Sequence, residues 1–281
     1  MLKNIQPIIQ NDVKRALKED IGKGDVSAAL LPKNMQATAA IITREPMIVA
    51  GIPWATEAFY QVCPTLKINW LVKDKDAVKK GAILAKISGN ARAILTAERT
   101  ALNFLQTLSA VATTTNLLVK KIAHTKAKLL DTRKTLPGLR IAQKYAVTCG
   151  GGFNHRFGLY DAYLLKENHI LAIGSIASAI KFAEEKNANL LIEVEVETLD
   201  ELKEALLAKP DRILLDNFSL PMMQKAVLLN KPKVCDLEVS GGVNLANIAK
   251  IAETGVDWIS VGSITKSISA IDLTLLMEKA W

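Results

Sequence analysis

Six short apolar runs alternate with helical patterns over the second half of the chain, and this alternation most constrains the fold. The runs occupy residues 127–130, 162–165, 190–194, 212–215, 234–239 and 258–261. Helical spacing of apolar residues is found between them, at 139–147, 175–185, 199–208, 221–229 and 245–253. Strand–helix alternation predicts a parallel sheet, either a barrel or a doubly wound sheet. No Gly-x-Gly-x-x-Gly follows the first run, so a dinucleotide-binding sheet is not favoured.

The first 110 residues lack this regular alternation of strands and helices. Asn11 or Asp12 could cap an early helix, and strand-like runs follow at 38–43, 47–50, 68–72 and 83–87. A longer helix is expected from Thr96, where apolar residues recur at helical spacing. These patterns predict a small, mostly antiparallel α+β unit. The segment 270–279 has the pattern of a closing helix.

Composition excludes several classes of protein. The chain has 281 residues, a net charge of +8 and only 5% aromatic residues, without a basic arm interleaved with aromatics, so no nucleic-acid partner is expected. No apolar run reaches the roughly 18 residues of a membrane span, and the N-terminus lacks a signal-peptide pattern. We therefore expect a cytoplasmic protein with no membrane partner. Three widely spaced cysteines argue against a disulfide framework or a zinc site.

Polar or glycine-bearing residues follow each of the six runs. In a parallel barrel all these strand ends meet at one mouth, where active sites lie. Loops after strands are polar in general, so the number of polar strand ends is weaker evidence for an active site than it first suggests. The residues are Asp131 to Lys134, Lys166 to His169, Glu195, Asp216 and Asn217, Ser240 to Gly242, and Gly262 with Ser263.

The residue types at this mouth indicate a strongly anionic substrate. Five cations converge there, and arginine suits carboxylates and phosphates because its planar group donates two parallel hydrogen bonds. They are Arg133, Lys134, His155, Arg156 and Lys166. Glu195 and Asp216 could hold ribose hydroxyls or Mg²⁺, or could form salt bridges with these cations. The glycine loops at 240–242 and 262–263 occupy the usual position of a phosphate site, although a simple tight turn is the alternative for the first.

Four stretches of the chain resemble the quinolinate phosphoribosyltransferase family. They are 98–103 (ERTALN), 131–140 (DTRKTLPGLR), 150–156 (GGGFNHR) continuing through Asp161 to 166–169 (KENH), and 193–195 (EVE) through 215–217 (LDN) to 240–242 (SGG). The loop 19–25 (EDIGKGD) also fits, and the resemblance spans nearly the whole chain. Departures are conservative, such as Ser27 where the family often has threonine.

The resemblance implies an α/β fold, with an incomplete parallel α/β barrel and an N-terminal α+β sandwich domain. The expected domains are 1–110 for the sandwich, joined by a C-terminal helix at 268–281, and 111–267 for the catalytic barrel. A family barrel has seven strands, so a seventh is expected near 109–126 or in a loop. The resemblance also implies a homodimer or larger oligomer, in which Arg99 reaches the partner's site.

The implied reaction is the decarboxylating transfer of a phosphoribosyl group to quinolinate, with Mg²⁺ as cofactor. Lys134, Lys166, Glu195 and Asp216 are the implied catalytic residues, with the last two near Mg²⁺ or ribose. The implied substrate-binding residues are Arg99, Thr132, Arg133, Lys134, His155, Arg156 and Lys166. The implied phosphate-binding residues are Ser240, Gly241, Gly242, Val261, Gly262 and Ser263.

Three alternatives compete with this interpretation. A paralogue associated with molybdate transport, or a nicotinate-specific enzyme, would keep the barrel and differ at the cations for the second carboxylate. A Schiff-base aldolase would use Lys166 as nucleophile. A non-catalytic binding protein would keep the pocket alone. The set of Arg99, Arg133, Arg156 and Lys166 favours quinolinate.

Overall fold

The computed structural model describes residues 4–281 and divides the chain into two compact units. The first unit contains the described residues up to Asn116, together with Leu136–Gly151 and Ser267–Trp281. The second contains Leu117–Thr135 and Gly152–Lys266. Segment 136–151, which the sequence assigns to the barrel, therefore belongs to the first unit. Among residues 4–281, no helix combines the length and the apolarity needed to cross a membrane.

The first unit is built on a four-stranded antiparallel sheet, as its sequence predicts. Its strand order is β12 (Leu273–Ala280), β1 (Gln36–Thr43), β5 (Ile83–Asn90) and β3 (Lys67–Trp70). The short strands β2 (Met47–Ile48) and β4 (Ala77–Val78) pair separately. Its helices are α1 (Gln6–Ile21), α2 (Ile52–Val62), α3 (Ala91–Ile122) and α4 (Arg140–Cys149).

The predicted C-terminal helix at 268–281 is wrong, because most of this segment forms strand β12. Every second residue is buried where this strand begins: Ile271, Leu273 and Leu275 are each less than 9% exposed. That period of two matches a strand with one face on a core. The strand pairs antiparallel with β1, from Thr43 opposite Leu273 to Ala37 opposite Ala280.

Both predicted helix caps are also wrong. Helix α1 begins five residues before Asn11, with Pro7 in its first turn, and Asp12 is a buried residue that accepts a hydrogen bond from the Trp54 indole. Helix α3 begins at Ala91, where the Asn90 side chain accepts the Ala93 N–H. Thr96 lies inside that helix and donates to Asp25. Both helices therefore begin earlier in the chain than the predicted caps.

The second unit contains a six-stranded parallel sheet, and all six predicted runs are confirmed as strands. The strand order is β6 (Lys128–Leu130), β11 (Trp258–Ser260), β10 (Asp236–Ser240), β9 (Arg212–Asp216), β8 (Ile192–Val196) and β7 (Tyr163–Leu165). The helices of this unit are α5 (Glu167–Ile173), α6 (Ile176–Asn187), α7 (Leu199–Ala208), α8 (Leu220–Leu229), α9 (Ile248–Ala252) and α10 (Ser263–Lys266).

A single residue occupies the place of a seventh strand. Residues 109–122 belong to α3, so the prediction of a strand there is wrong. Instead Phe153 forms one parallel bridge beside β6: its N–H donates to the Leu129 carbonyl, and its carbonyl accepts the Asp131 N–H. The sequence also allowed the seventh strand to lie in a loop, and the loop at Phe153 contributes this one bridge in place of a full strand.

Candidate active site

A pocket of about 340 Å³ lies at the carboxyl ends of the strands of the second unit. It brings together eight of the residues that the sequence singles out, which come from four strand ends and from the loop after Phe153. These eight are Thr132, Arg133, Lys134, His155, Arg156, Lys166, Glu195 and Ser240. Arg99 belongs to the first unit, where it is an exposed residue of α3.

Strand register explains which side chains face the pocket. Glu195 on β8 is paired with Leu214 on β9, and both line the pocket. Side chains two apart on a strand share a face, so Asp216 points to the same side as Leu214. Asp216 is in turn paired with Ser240, another lining residue. The two predicted carboxylates therefore lie on neighbouring strands and on the same face of the sheet.

Lys166 and Glu195 form an ion pair inside the pocket. Nζ of Lys166 lies 2.5 Å from Oε2 of Glu195, and the Glu195 side chain is only 11% exposed. The salt bridge that the sequence left open as an alternative is thus present for Glu195. The Lys166 backbone starts α5, where its N–H donates to Nδ1 of His169. His169 therefore supports the start of this helix.

Asp131 holds the loop that carries His155 and Arg156. Its carboxylate is fully buried at the end of β6 and accepts hydrogen bonds from the Asn154 amide at 2.6 Å and the His155 N–H at 2.9 Å. Asp161 accepts the N–H groups of Phe157 and Gly158 on the other side of the loop. Both aspartates belong to the motifs that resemble the family, but nothing in the sequence alone assigns them a role.

Two guanidinium groups lie close enough to influence one another. Burial lowers the pKa of Arg156, and the positive charge of Arg133 lowers it further. Nη1 of Arg156 donates to the Ala162 carbonyl at 3.3 Å. Neighbouring like charges repel one another, and a bound dianion would relieve that repulsion.

The glycine loops bring backbone close to the pocket residues. Gly241 and Gly242 both have positive φ, and a Cβ on Gly241 would lie 2.1 Å from Oδ1 of Asn217. A Cβ on Gly262 would lie 3.0 Å from Cδ of Lys134. At Gly241 the positive φ and the close approach together require glycine, whereas at Gly262 the Lys134 side chain would have to shift by a few tenths of an ångström.

The loop after β11 contacts the loop after β6. The hydroxyl of Thr265 donates to the Lys134 carbonyl, and the N–H of Val261 donates to the Leu130 carbonyl. The Val261 donor is therefore engaged within the sheet. Gly262 and Ser263 follow it at the beginning of α10.

Sequence reasoning missed a buried charged cluster below the pocket. Glu193 and Glu238 are fully buried, Nε2 of His155 lies 2.9 Å from Oε2 of Glu193, and Nη1 of Arg212 donates to Oε2 of Glu238 at 2.8 Å. The pKa of both glutamates is raised to about 7, mainly by burial, and at Glu238 the neighbouring Glu193 charge contributes to the rise. The available signal was periodicity, because each glutamate lies two residues before a pocket residue on its strand.

Comparisons with known proteins agree over the whole chain. Residues 25–109 match the family described as quinolinate phosphoribosyl transferase, N-terminal domain, and residues 111–276 match the corresponding C-terminal domain. A carboxylating nicotinate-nucleotide pyrophosphorylase of Mycobacterium leprae is 41% identical over 95% of this chain and 96% of its own length. A chloroplastic protein of that name from Arabidopsis thaliana is 42% identical over 95% of this chain and 82% of its length.

A solved structure is similar throughout. The nicotinate-nucleotide pyrophosphorylase from Francisella tularensis superposes with a TM-score of 0.96 at 51% identity, covering 98% of each chain.

Proposed function

The chain belongs to the quinolinate phosphoribosyltransferase family, and we propose that the pocket at the strand ends of the second unit is where it carries out the family's reaction. It transfers the phosphoribosyl group of phosphoribosyl pyrophosphate to quinolinate, giving nicotinate mononucleotide, pyrophosphate and CO₂ in de novo NAD biosynthesis. The observation that supports this site best is the convergence of Arg133, Arg156 and Lys166 beside the carboxylate of Glu195.

Quinolinate would bind to the cations of the pocket. Its two carboxylates match the neighbouring guanidinium groups of Arg133 and Arg156, with Lys166 as a third cation. Thr132 and His155 line the same pocket, and Lys134 lies where it could contact either substrate. Substrates with a single carboxylate would leave part of this positive charge without a partner.

The phosphoribosyl group would extend towards the glycine loops. Ser240, Gly241, Gly242, Gly262 and Ser263 would hold the 5-phosphate through backbone and hydroxyl donors, beside Val261. Glu195 and Asp216 would bind the ribose hydroxyls, since they face the pocket side of β8 and β9.

The donor set fits Mg²⁺. Magnesium takes oxygen ligands, commonly one or two carboxylates completed by substrate phosphates and water, and Glu195 and Asp216 supply two carboxylates on one face. When bound, the ion would neutralise charge on the pyrophosphate.

The protein's contribution to the chemistry is positioning and charge. The pyridine nitrogen of quinolinate attacks C1 of the ribose as the bond to pyrophosphate breaks, so no protein nucleophile is required. Glu195 and Asp216 would stabilise the positive charge that develops on the ribose, and Lys134 the departing anion. Loss of the 2-carboxylate then leaves its electron pair on the ring, next to the quaternised nitrogen, until a proton replaces it. Holding both substrates in line supplies much of the acceleration.

We also propose a homodimer in which Arg99 reaches the site of the partner subunit. Arg99 is exposed on α3, and the pocket described above is formed by second-unit residues. Location in the cytoplasm remains a prediction.

The direct test is ultraviolet detection of nicotinate mononucleotide with quinolinate, phosphoribosyl pyrophosphate and Mg²⁺, with nicotinate as the parallel substrate. We expect product from quinolinate alone. Product from nicotinate alone would contradict the dicarboxylate site, and no product from either would contradict the reaction.

A further inference from the structure

Both nitrogen atoms of the His155 ring lie within 3 Å of a polar atom of the protein. Nδ1 accepts the backbone N–H of Arg156 at 2.7 Å. An imidazole nitrogen that accepts a hydrogen bond carries no proton, so the proton of the neutral ring is on the other nitrogen, Nε2. The ring therefore presents Nε2–H as its donor.

The Nε2 side of the ring faces two buried carboxyl groups. Nε2 lies 2.9 Å from Oε2 of Glu193 and 3.6 Å from Oε1 of Glu238. The 2.9 Å contact is a close polar contact, and no hydrogen bond within residues 4–281 reaches either oxygen of Glu193 or Oε1 of Glu238. Buried acceptors need donors, and the ring N–H is the donor at hand. This observation supports the Nε2–H form independently of the bond at Nδ1.

A metal ion is the competing occupant of this cluster, because the ligand atoms of His155, Glu193 and Glu238 lie within 4.8 Å of one another. A ring nitrogen that carries hydrogen has no lone pair to give to a metal. Arg212 already supplies a positive charge, with Nη1 2.8 Å from Oε2 of Glu238. The geometry thus favours a hydrogen-bonded cluster.

We propose that Glu193 and Glu238 are positioning residues for the substrate pocket, which hold His155 as a neutral Nε2–H ring and through it the backbone of Arg156. His155 lines the pocket, and both of its ring nitrogens then face partners within the protein. Arg156 is the residue that contacts a quinolinate carboxylate. The contact between Arg156 and quinolinate rests on the proposed function, whereas the protonation state of His155 does not.

The first test is ¹⁵N NMR of the histidine rings at neutral pH, which distinguishes the two neutral forms from the charged ring. The chain has three histidines, so comparison with His155→Gln assigns the signal. We expect a neutral ring with hydrogen on Nε2, unchanged when quinolinate is added to saturation. A charged ring, hydrogen on Nδ1, or a change of protonation with quinolinate would overturn the proposal. An inactive protein with the expected spectrum would contradict the proposed function alone.

The second test compares two substitutions of the same glutamate. Glu238→Gln keeps an oxygen acceptor for the ring, whereas Glu238→Met has similar size and no strong acceptor. We expect Glu238→Met to raise the KM for quinolinate roughly ten- to a hundredfold, the effect of a group displaced by about 1 Å, with the KM for phosphoribosyl pyrophosphate little changed. Glu238→Gln should restore most of the affinity. Equal effects of Met and Gln, or equal changes in both KM values, would contradict a positioning role.

Discussion

Nζ of Lys166 lies 2.5 Å from Oε2 of Glu195, so a cation and a carboxylate of the pocket are paired with each other. A quinolinate carboxylate that binds Lys166 must compete with Glu195. The same exchange would leave Glu195 available to the ribose, and it would couple the binding of the two substrates.

Lys166→Gln is therefore expected to weaken the binding of quinolinate and to remove the coupling between the two substrates. Removal of the cation deletes a charge-assisted bond to quinolinate, worth about 1.5–3 kcal/mol, and leaves Glu195 without its ion pair. The matched control is Lys203→Gln, because Lys203 forms an exposed ion pair with Asp200 at 2.7 Å and lies on α7. Substrate affinities from isothermal titration should change only in the first variant. An unchanged quinolinate affinity in Lys166→Gln would exclude Lys166 from the carboxylate site.

Arg133→Ala and Arg156→Ala should each weaken quinolinate binding by about 1.5–3 kcal/mol, because each removes a charge-assisted contact. The double variant should show less than the sum of the two effects, since removal of one guanidinium relieves repulsion on the other. Arg44→Ala, an exposed arginine of the first unit, serves as the control. If either pocket variant binds quinolinate with the original affinity, its assigned contact is wrong.

Gly241→Ala should impair the phosphoribosyl side of the site. Gly241 has φ of 91°, and an added Cβ would lie 2.1 Å from the Asn217 side chain, so the loop must move. Gly81→Ala is a matched control, with φ of 84° and nothing within 4 Å of its Cβ position. Both variants carry the backbone cost of about 1–2 kcal/mol. Only Gly241→Ala is expected to raise the KM for phosphoribosyl pyrophosphate; equal effects would assign the loss to backbone strain.

The buried glutamates make stability depend on pH in a defined direction. The pKa of Glu238 is about 7 in the folded chain, above the ordinary value of 4.5, so the folded state retains a proton that the unfolded state loses. Its contribution to stability is fully present below pH 4.5 and is lost as pH rises through about 7. Denaturant titrations of the wild type and Glu238→Gln should show the variant gaining relative stability between about pH 5 and 8. A constant difference across that interval would contradict the raised pKa.

The three thiols should differ in reactivity. Burial raises the pKa of Cys149 to about 12 and of Cys235 to about 11, so neither forms much thiolate at neutral pH. Cys63 is partly exposed. Mass spectrometry after brief treatment with iodoacetamide should find a single adduct on Cys63 in the native protein and three adducts in denaturant. Rapid native labelling of Cys149 or Cys235 would show that its surroundings open.

The strands of the second unit could be predicted because each is a short apolar run that ends in polar residues. β12 could not be assigned so simply, because Ile271, Leu273, Leu275 and Leu276 satisfy helical and strand spacing together. Pairing with β1 decides between them, and that partner is more than 200 residues away in the sequence. Tertiary contacts of this kind override local preference.

The candidate site was predictable where charge and position agreed, as for Arg133, Arg156 and Lys166. Glu193 and Glu238 were missed because the period of two places each of them on the face of a pocket residue but does not by itself give a glutamate a role. Their role depends on His155, which reaches them only in the folded chain.

The register of β12 has a consequence for biosynthesis. Residues 273–280 leave the ribosome after all of the second unit, yet they pair with β1, whose residues emerge near the beginning. Until then the outer edge of β1 exposes backbone donors and acceptors to other nascent chains. The sheet of the first unit can therefore be completed only after the second unit has been synthesised.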